Sequence, residues 1–229
     1  MGIRMRKPAA GAAGLGVLGA AGGLWMAAAR LGRHSGTTPE ELAMALPGDD
    51  LVSDARFVAD RATTLPAEPD HVWPWLVQLG KDRAGWYLPA WVERAVPAGR
   101  RGLRELDPAL QHLAAGDEIP DWGPGRPVFR AITVDPPRAL VYLSVRDRDD
   151  DHRWPASGPP YPPSAMVMSW ALVLSAARHP DGSPGSRLHL RLRINRIGNR
   201  APALVRSVGG LIDGATVHPM FAGLAERVR

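Results

Sequence analysis

Leu188, Leu190, Leu192 and Ile194 alternate with Arg187, His189, Arg191, Arg193 and Asn195. That period of two predicts a strand with one apolar and one cationic face, the cationic one turned to water or to an anionic membrane surface. Met166, Met168, Trp170, Leu172 and Leu174 alternate with Val167, Ser169, Ala171, Val173 and Ser175, a longer strand with one face of large groups. Further strands are predicted over residues 57–65, 117–121, 127–135, with Val128, Ile132 and Val134 on one face, and 139–146. Short turns between the later strands make them antiparallel neighbours. The pattern then shifts to the helical period. Val72, Trp75, Leu76 and Leu79 fall at i, i+3, i+4 and i+7, with Asp70 placed to cap and Gly80 to end that helix. Leu88, Trp91, Val92 and Ala95 repeat the spacing up to Pro97. A last apolar stripe runs from Leu204 through Val217, Phe221, Leu224 and Val228, interrupted by Gly209, Gly210, Gly214 and Pro219, which predict a bend or a split. A strand, two short helices, a run of antiparallel strands and a long terminal helix make an α+β chain whose curved sheet has about six strands.

Charge divides the chain. Arg4, Arg6, Lys7, Arg30 and Arg33 are its first five basic residues and no acid precedes them or lies among them; the other 23 basic residues match the 23 acidic ones. The net +5 therefore belongs to an N-terminal arm and not to the body. Nucleic-acid binding, which needs a basic footprint on the folded domain, is not expected. Between the arm's basic residues, positions 8–29 hold no charge for 22 residues, the length of a single membrane-spanning helix. Their Ala and Gly content also suits a signal peptide cleaved after Ala27-Ala28-Ala29, which would make the protein secreted. A GxGxxG run at residues 14–19 lacks the preceding strand that dinucleotide binding requires. Residues 1–35 are thus assigned as anchor or signal, 36–55 as a polar linker with one short helix, and 56–229 as the folded domain.

Candidate chemistry is sparse. Half of the eight tryptophans, Trp73, Trp75, Trp86 and Trp91, crowd into one short unit. The acidic run Asp147, Asp149, Asp150, Asp151 and His152 lacks the spacing and shaping glycine of an oxygen-ligand metal site, so residues 147–163 read as a solvated loop. Asp117 and Glu118 are neighbours on a strand and point to opposite faces. His218 is the one histidine beside the terminal helix stripe. No nucleophile, base and orienting group can be assembled, so no catalytic residue, metal or cofactor is expected.

The words Val72-Trp73-Pro74-Trp75-Leu76-Val77-Gln78-Leu79-Gly80, Arg83-Ala84-Gly85-Trp86-Tyr87, Gly116-Asp117, Phe129-Arg130 and Val134-Asp135-Pro136-Pro137-Arg138-Ala139-Leu140 resemble the START-like superfamily, which holds polyketide cyclases and lipid-transfer proteins. The resemblance is to its membrane-anchored bacterial branch, over residues 46–194. It implies a helix-grip fold, in which the sheet wraps the C-terminal helix around an apolar cavity. The chain departs from that pattern at His218-Pro219, where the branch carries a charged run. A hydrophobic small molecule or lipid is then the expected partner, with Trp86, Tyr87, Trp91, Trp122, Tyr142, Met168, Trp170, Gly210, Gly214 and Phe221 as cavity candidates. A cyclase or dehydratase, and a membrane-tethered interaction module with no ligand, are the alternatives.

Overall fold

A computed structural model describes residues 34–122, 125–195 and 216–229. Six antiparallel strands form one sheet in the order β1-β6-β5-β4-β3-β2. Their bounds are β1 Phe57–Leu65, β2 Glu118–Pro120, β3 Val128–Asp135, β4 Ala139–Asp147, β5 Ala165–Arg178 and β6 Pro184–Ile194. The helices are α1 Pro39–Ala43, α2 Pro69–Gln78, α3 Ala90–Glu93 and a fourth, α4, over residues 216–227. The expected span at 8–29, the glycine motifs within it, and Gly209, Gly210 and Gly214 lie outside the described residues. Among those described, no helix is long and apolar enough to cross a membrane.

The inner face of the sheet carries the main core. Leu140, Leu172, Leu174, Leu188 and Leu190 pack with Val72, Trp75 and Leu76 of α2, with Leu79, which caps its end, and with Val217, Met220, Phe221 and Leu224 of α4. The α2 stripe and, in the last stripe, Val217, Phe221 and Leu224 are therefore buried as their spacing requires, Leu204 lying outside the described residues. Pro69 opens α2 after Glu68, so Asp70 lies within the first turn instead of capping it, and Pro74 is interior to the helix. The second helix is shorter than expected: α3 covers four residues, and Trp91 is 71% exposed. What fixes residues 86–104 against α4 is polar. Buried Glu93 accepts from Arg104 Nε at 2.8 Å and Arg227 Nη2 at 2.7 Å, and Arg227 also donates to the carbonyls of Leu88, Leu103 and Gly223. Gly223 makes the close approach possible, since a Cβ there would stand 2.6 Å from the Leu88 carbonyl carbon.

The outer face overturns two expectations. The cationic face of β6 does not meet solvent, because residues 34–55, expected as a linker, fold across it as a strap. Arg191 is 4% exposed and Asp60 2%. Arg191 Nε donates to Asp60 Oδ1 at 2.6 Å, and its Nη1 donates to Asp49 Oδ2 and to the Met44 carbonyl, both at 2.8 Å. His189 Nε2 lies 2.8 Å from the same Asp60 oxygen. Arg187 grips Glu41 through Nε at 2.7 Å and Nη2 at 2.8 Å, and Thr38 with Glu41 forms a capping box that starts α1. Farther along this face, Leu51, Val52 and Ala55 of the strap join Leu143, Val145 and Val167 in a second apolar cluster. The 147–163 loop is not wholly solvated either: Trp154 and Tyr161 pack edge to face at 6.4 Å on that cluster, and Arg130 sits 4.2 Å above the Trp154 ring. Ile132 also packs there, whereas Val134 packs inside, because a bulge between Ala131 and Thr133 breaks the alternation that would have put them on one face.

Candidate functional site

The site begins with a turn. Two hydrogen bonds join Gly80 and Gly85, at 3.3 and 2.9 Å, and close a loop directly after α2. Gly80 has φ +147°, and a Cβ on it would stand 2.8 Å from Ile119 Cγ2; Gly85 has φ +77°. Both positions therefore need glycine. The loop delivers Trp86 to the inner face, where its Nε1 donates to the Thr216 carbonyl at 3.1 Å and ties the loop to α4. Trp170 of β5 stacks on Trp86, with ring centres 5.9 Å apart at 17°. Tyr142 of β4 pairs with Trp170 in register and stacks on it at 6.2 Å. Trp122 meets Trp86 edge to face at 5.7 Å, and Phe129 tilts against Trp170 at 6.0 Å.

These rings border a cavity of about 420 Å³ between the sheet and α4. Leu79, Gly80, Ile119, Pro120, Met168, Leu192, Thr216 and Val217 complete most of its wall. Trp122 is half exposed at the border and Tyr142 is buried. Of the ten sequence candidates, Trp86, Trp122, Tyr142, Met168 and Trp170 are brought together on this wall. Three described candidates are elsewhere. Tyr87 is enclosed in the core with its hydroxyl donating to the Trp75 carbonyl at 2.8 Å, Phe221 packs in the core from α4, and Trp91 points to solvent on the short α3. Gly210 and Gly214 are outside the described residues. Leu192 is on the apolar face that its strand's alternation marks, whereas the pattern of Val128, Ile132 and Val134 puts Phe129 on the opposite face and nothing marks Ile119 as inward. Nothing local to Asp121 marks an inward aspartate either.

Polar groups on the wall are few. Asp121 is held by an ion pair to Arg146, whose Nε also donates to Ser144 Oγ at 3.0 Å. Burial pulls the Arg146 guanidinium below its ordinary pKa, while Asp121 opposes that shift. The Tyr142 hydroxyl is buried and has no hydrogen-bond partner among the described residues. Burial pushes its phenol up, against the charge of Arg83, so the group stays a neutral donor throughout the ordinary pH range. His218 is not on the wall: its Nε2 lies 2.7 Å from Ser35 Oγ of the strap. Desolvation and the charge of Arg61 hold its imidazole below the usual range. Glu118, on the sheet edge, pairs with Arg130 at 2.7 Å, and among the described residues no cluster of His, Asp and Glu could hold a metal.

No family description matches the chain. No curated protein matches it either. Similar solved structures include a crystal structure of a protein from Rhizobium loti, 17% identical with a TM-score of 0.39, covering 74% of this chain and 95% of that one. A solution structure of a protein from Arthrobacter aurescens is 12% identical at 0.39, covering 75% and 86%. A crystal structure of a protein from Mycobacterium smegmatis is 15% identical at 0.38, covering 75% and 88%.

Proposed function

We propose that the protein binds and carries a hydrophobic small molecule or lipid between the sheet and the C-terminal helix, as a START-like helix-grip domain tethered to a membrane through residues 8–29. The observation that carries this is the cavity itself. At about 420 Å³ it falls within the range of small-molecule sites, and among the described residues its wall is apolar apart from one paired aspartate, one phenol, one threonine and the tryptophan ring N–H groups. The cyclase alternative finds less support. Its proton chemistry would need a free titratable group on the wall, whereas Asp121 is paired with Arg146 and Tyr142 is held protonated.

Native mass spectrometry of the full chain extracted from its host tests the proposal. A co-purifying apolar mass is expected, displaced in proportion when Trp170→Ala enlarges the cavity and removes its central ring. Protein that emerges without added mass, and takes up no apolar probe when offered one, would sink it.

A further inference from the structure

Resting on the carrier reading, we infer that the guest is a flat, ring-bearing molecule with a carbonyl oxygen, and that Tyr142 is the residue that recognises it. Three observations converge. Trp86, Trp170 and Tyr142 form a continuous run of near-parallel rings, offset at 5.9 and 6.2 Å, along one side of the cavity. A wall of aromatic rings favours a ring-bearing guest, met by ring edges as well as faces, over a flexible chain. Second, the Tyr142 hydroxyl is buried without a partner among the described residues, and a buried donor left unsatisfied is costly. Burial this deep without a partner calls for an explanation, and its place on the cavity wall supplies one: an acceptor on the guest completes it. Third, the Arg83 side chain is close enough for its charge to be felt by that phenol. Its Nη2 is engaged by the Val77 and Leu110 carbonyls, while its Nε, buried, has no partner among the described residues. Positive potential near the phenol favours an electron-rich oxygen beside it. Among the described residues the wall offers no unpaired carboxylate for a cationic guest, since Asp121 is already held by Arg146.

A matched pair of probes tests this: 9-fluorenone, which has a ring carbonyl, and fluorene, which has a methylene in its place. The full chain in lipid nanodiscs is titrated with each, and empty nanodiscs give the partition correction. The quenched signal is that of the cavity tryptophans. Wild type is expected to bind 9-fluorenone roughly three- to tenfold more tightly than fluorene, the range of one net hydrogen bond. Tyr142→Phe keeps the ring and should erase the preference while leaving fluorene affinity unchanged. The carbonyl stretch of bound 9-fluorenone should move to lower wavenumber in wild type and return in the variant. Because the hydroxyl has no partner among the described residues, the variant should melt at or above the wild-type temperature. A variant that melts lower would show a structural role for the hydroxyl and overturn the inference. Equal binding of both probes, unchanged by the substitution, would overturn it too and mean that the phenol meets only water, with the carrier reading intact. Binding of neither probe would overturn both.

Discussion

Asp60 is the residue on which the outer face turns. One of its oxygens takes both the Arg191 Nε and the His189 ring, and the residue is almost wholly buried. Burial alone would raise its carboxyl pKa, but the bonds from His189 and Arg191 outweigh that and hold it below the usual carboxylate value. Glu41 is likewise lowered, chiefly by its bond from Arg187. The sign follows: a carboxylate whose folded pKa is depressed adds stability that is present above its unfolded value of about 4, and that is lost as pH falls through the folded value. Acid unfolding should therefore begin below about pH 4, and Asp60→Asn should flatten that limb of a stability-against-pH profile. A profile unchanged by Asp60→Asn would remove this residue from the account. Arg191→Glu should be far worse than a surface change. It sets two buried carboxylates against each other, and breaking such a pair costs roughly 3–5 kcal/mol in chemical denaturation. A loss under about 1 kcal/mol would mean the face is solvated, as the strand's alternation alone suggests.

At the scale of elements, the strap is the part that the local pattern hides. The strands, the α2 stripe and the last turns of α4 could be read because each is set by a period of two or 3.6 within its own segment. The covering of β6 is set by contacts more than 140 positions apart, such as Arg187 with Glu41, Arg191 with Asp49 and Arg193 with the Val52 carbonyl. Alternating arginines look the same whether water or a distant carboxylate meets them. The cavity was legible for a related reason and to a related degree. Trp86, Tyr142, Met168 and Trp170 belong to turns and inward strand positions, whereas Trp91 and Tyr87 are decided by where a short helix ends and which way a loop enters the core. The strap is a removable element, so its contribution can be measured. A chain beginning at residue 56 uncovers Leu143, Val145 and Val167 and removes the Glu41 and Asp49 partners of Arg187, Arg191 and Arg193 at once, leaving Arg191 only its bond to Asp60. Relative to one beginning at residue 34, it should be less stable by at least about 3–5 kcal/mol and prone to aggregate. Equal denaturation midpoints for the two would show that the strap contributes nothing. Gly223→Leu tests the opposite side of the sheet, where backbone meets backbone: it should cost about 1–3 kcal/mol by overpacking against Leu88, read from the same transitions.

For the whole molecule, the strap also constrains where the body stands if residues 8–29 span a bilayer. Ser35 is fixed at the sheet edge, since its carbonyl accepts from the Ala62 N–H at 3.2 Å and its Oγ meets His218. Six residue steps separate position 29 from Ser35, a reach of at most about 20 Å even fully extended. An inserted anchor would therefore hold the β1 edge and His218 of α4 near the headgroups, close in sequence to two of the cavity's wall residues, Thr216 and Val217. A short path between membrane and cavity suits a carrier of apolar cargo. The chain has no cysteine, so a dye can be placed at one position alone, and Glu40→Cys puts it on the exposed face of α1. Energy transfer from that dye to acceptor headgroups should be strong in vesicles carrying the full chain. Twenty Gly/Ser residues inserted before His34 add a coil of roughly 25 Å root-mean-square length and should weaken it. Transfer that ignores the insertion, or a full chain that sediments without membranes, would detach the body from the bilayer and leave the anchor proposal without support.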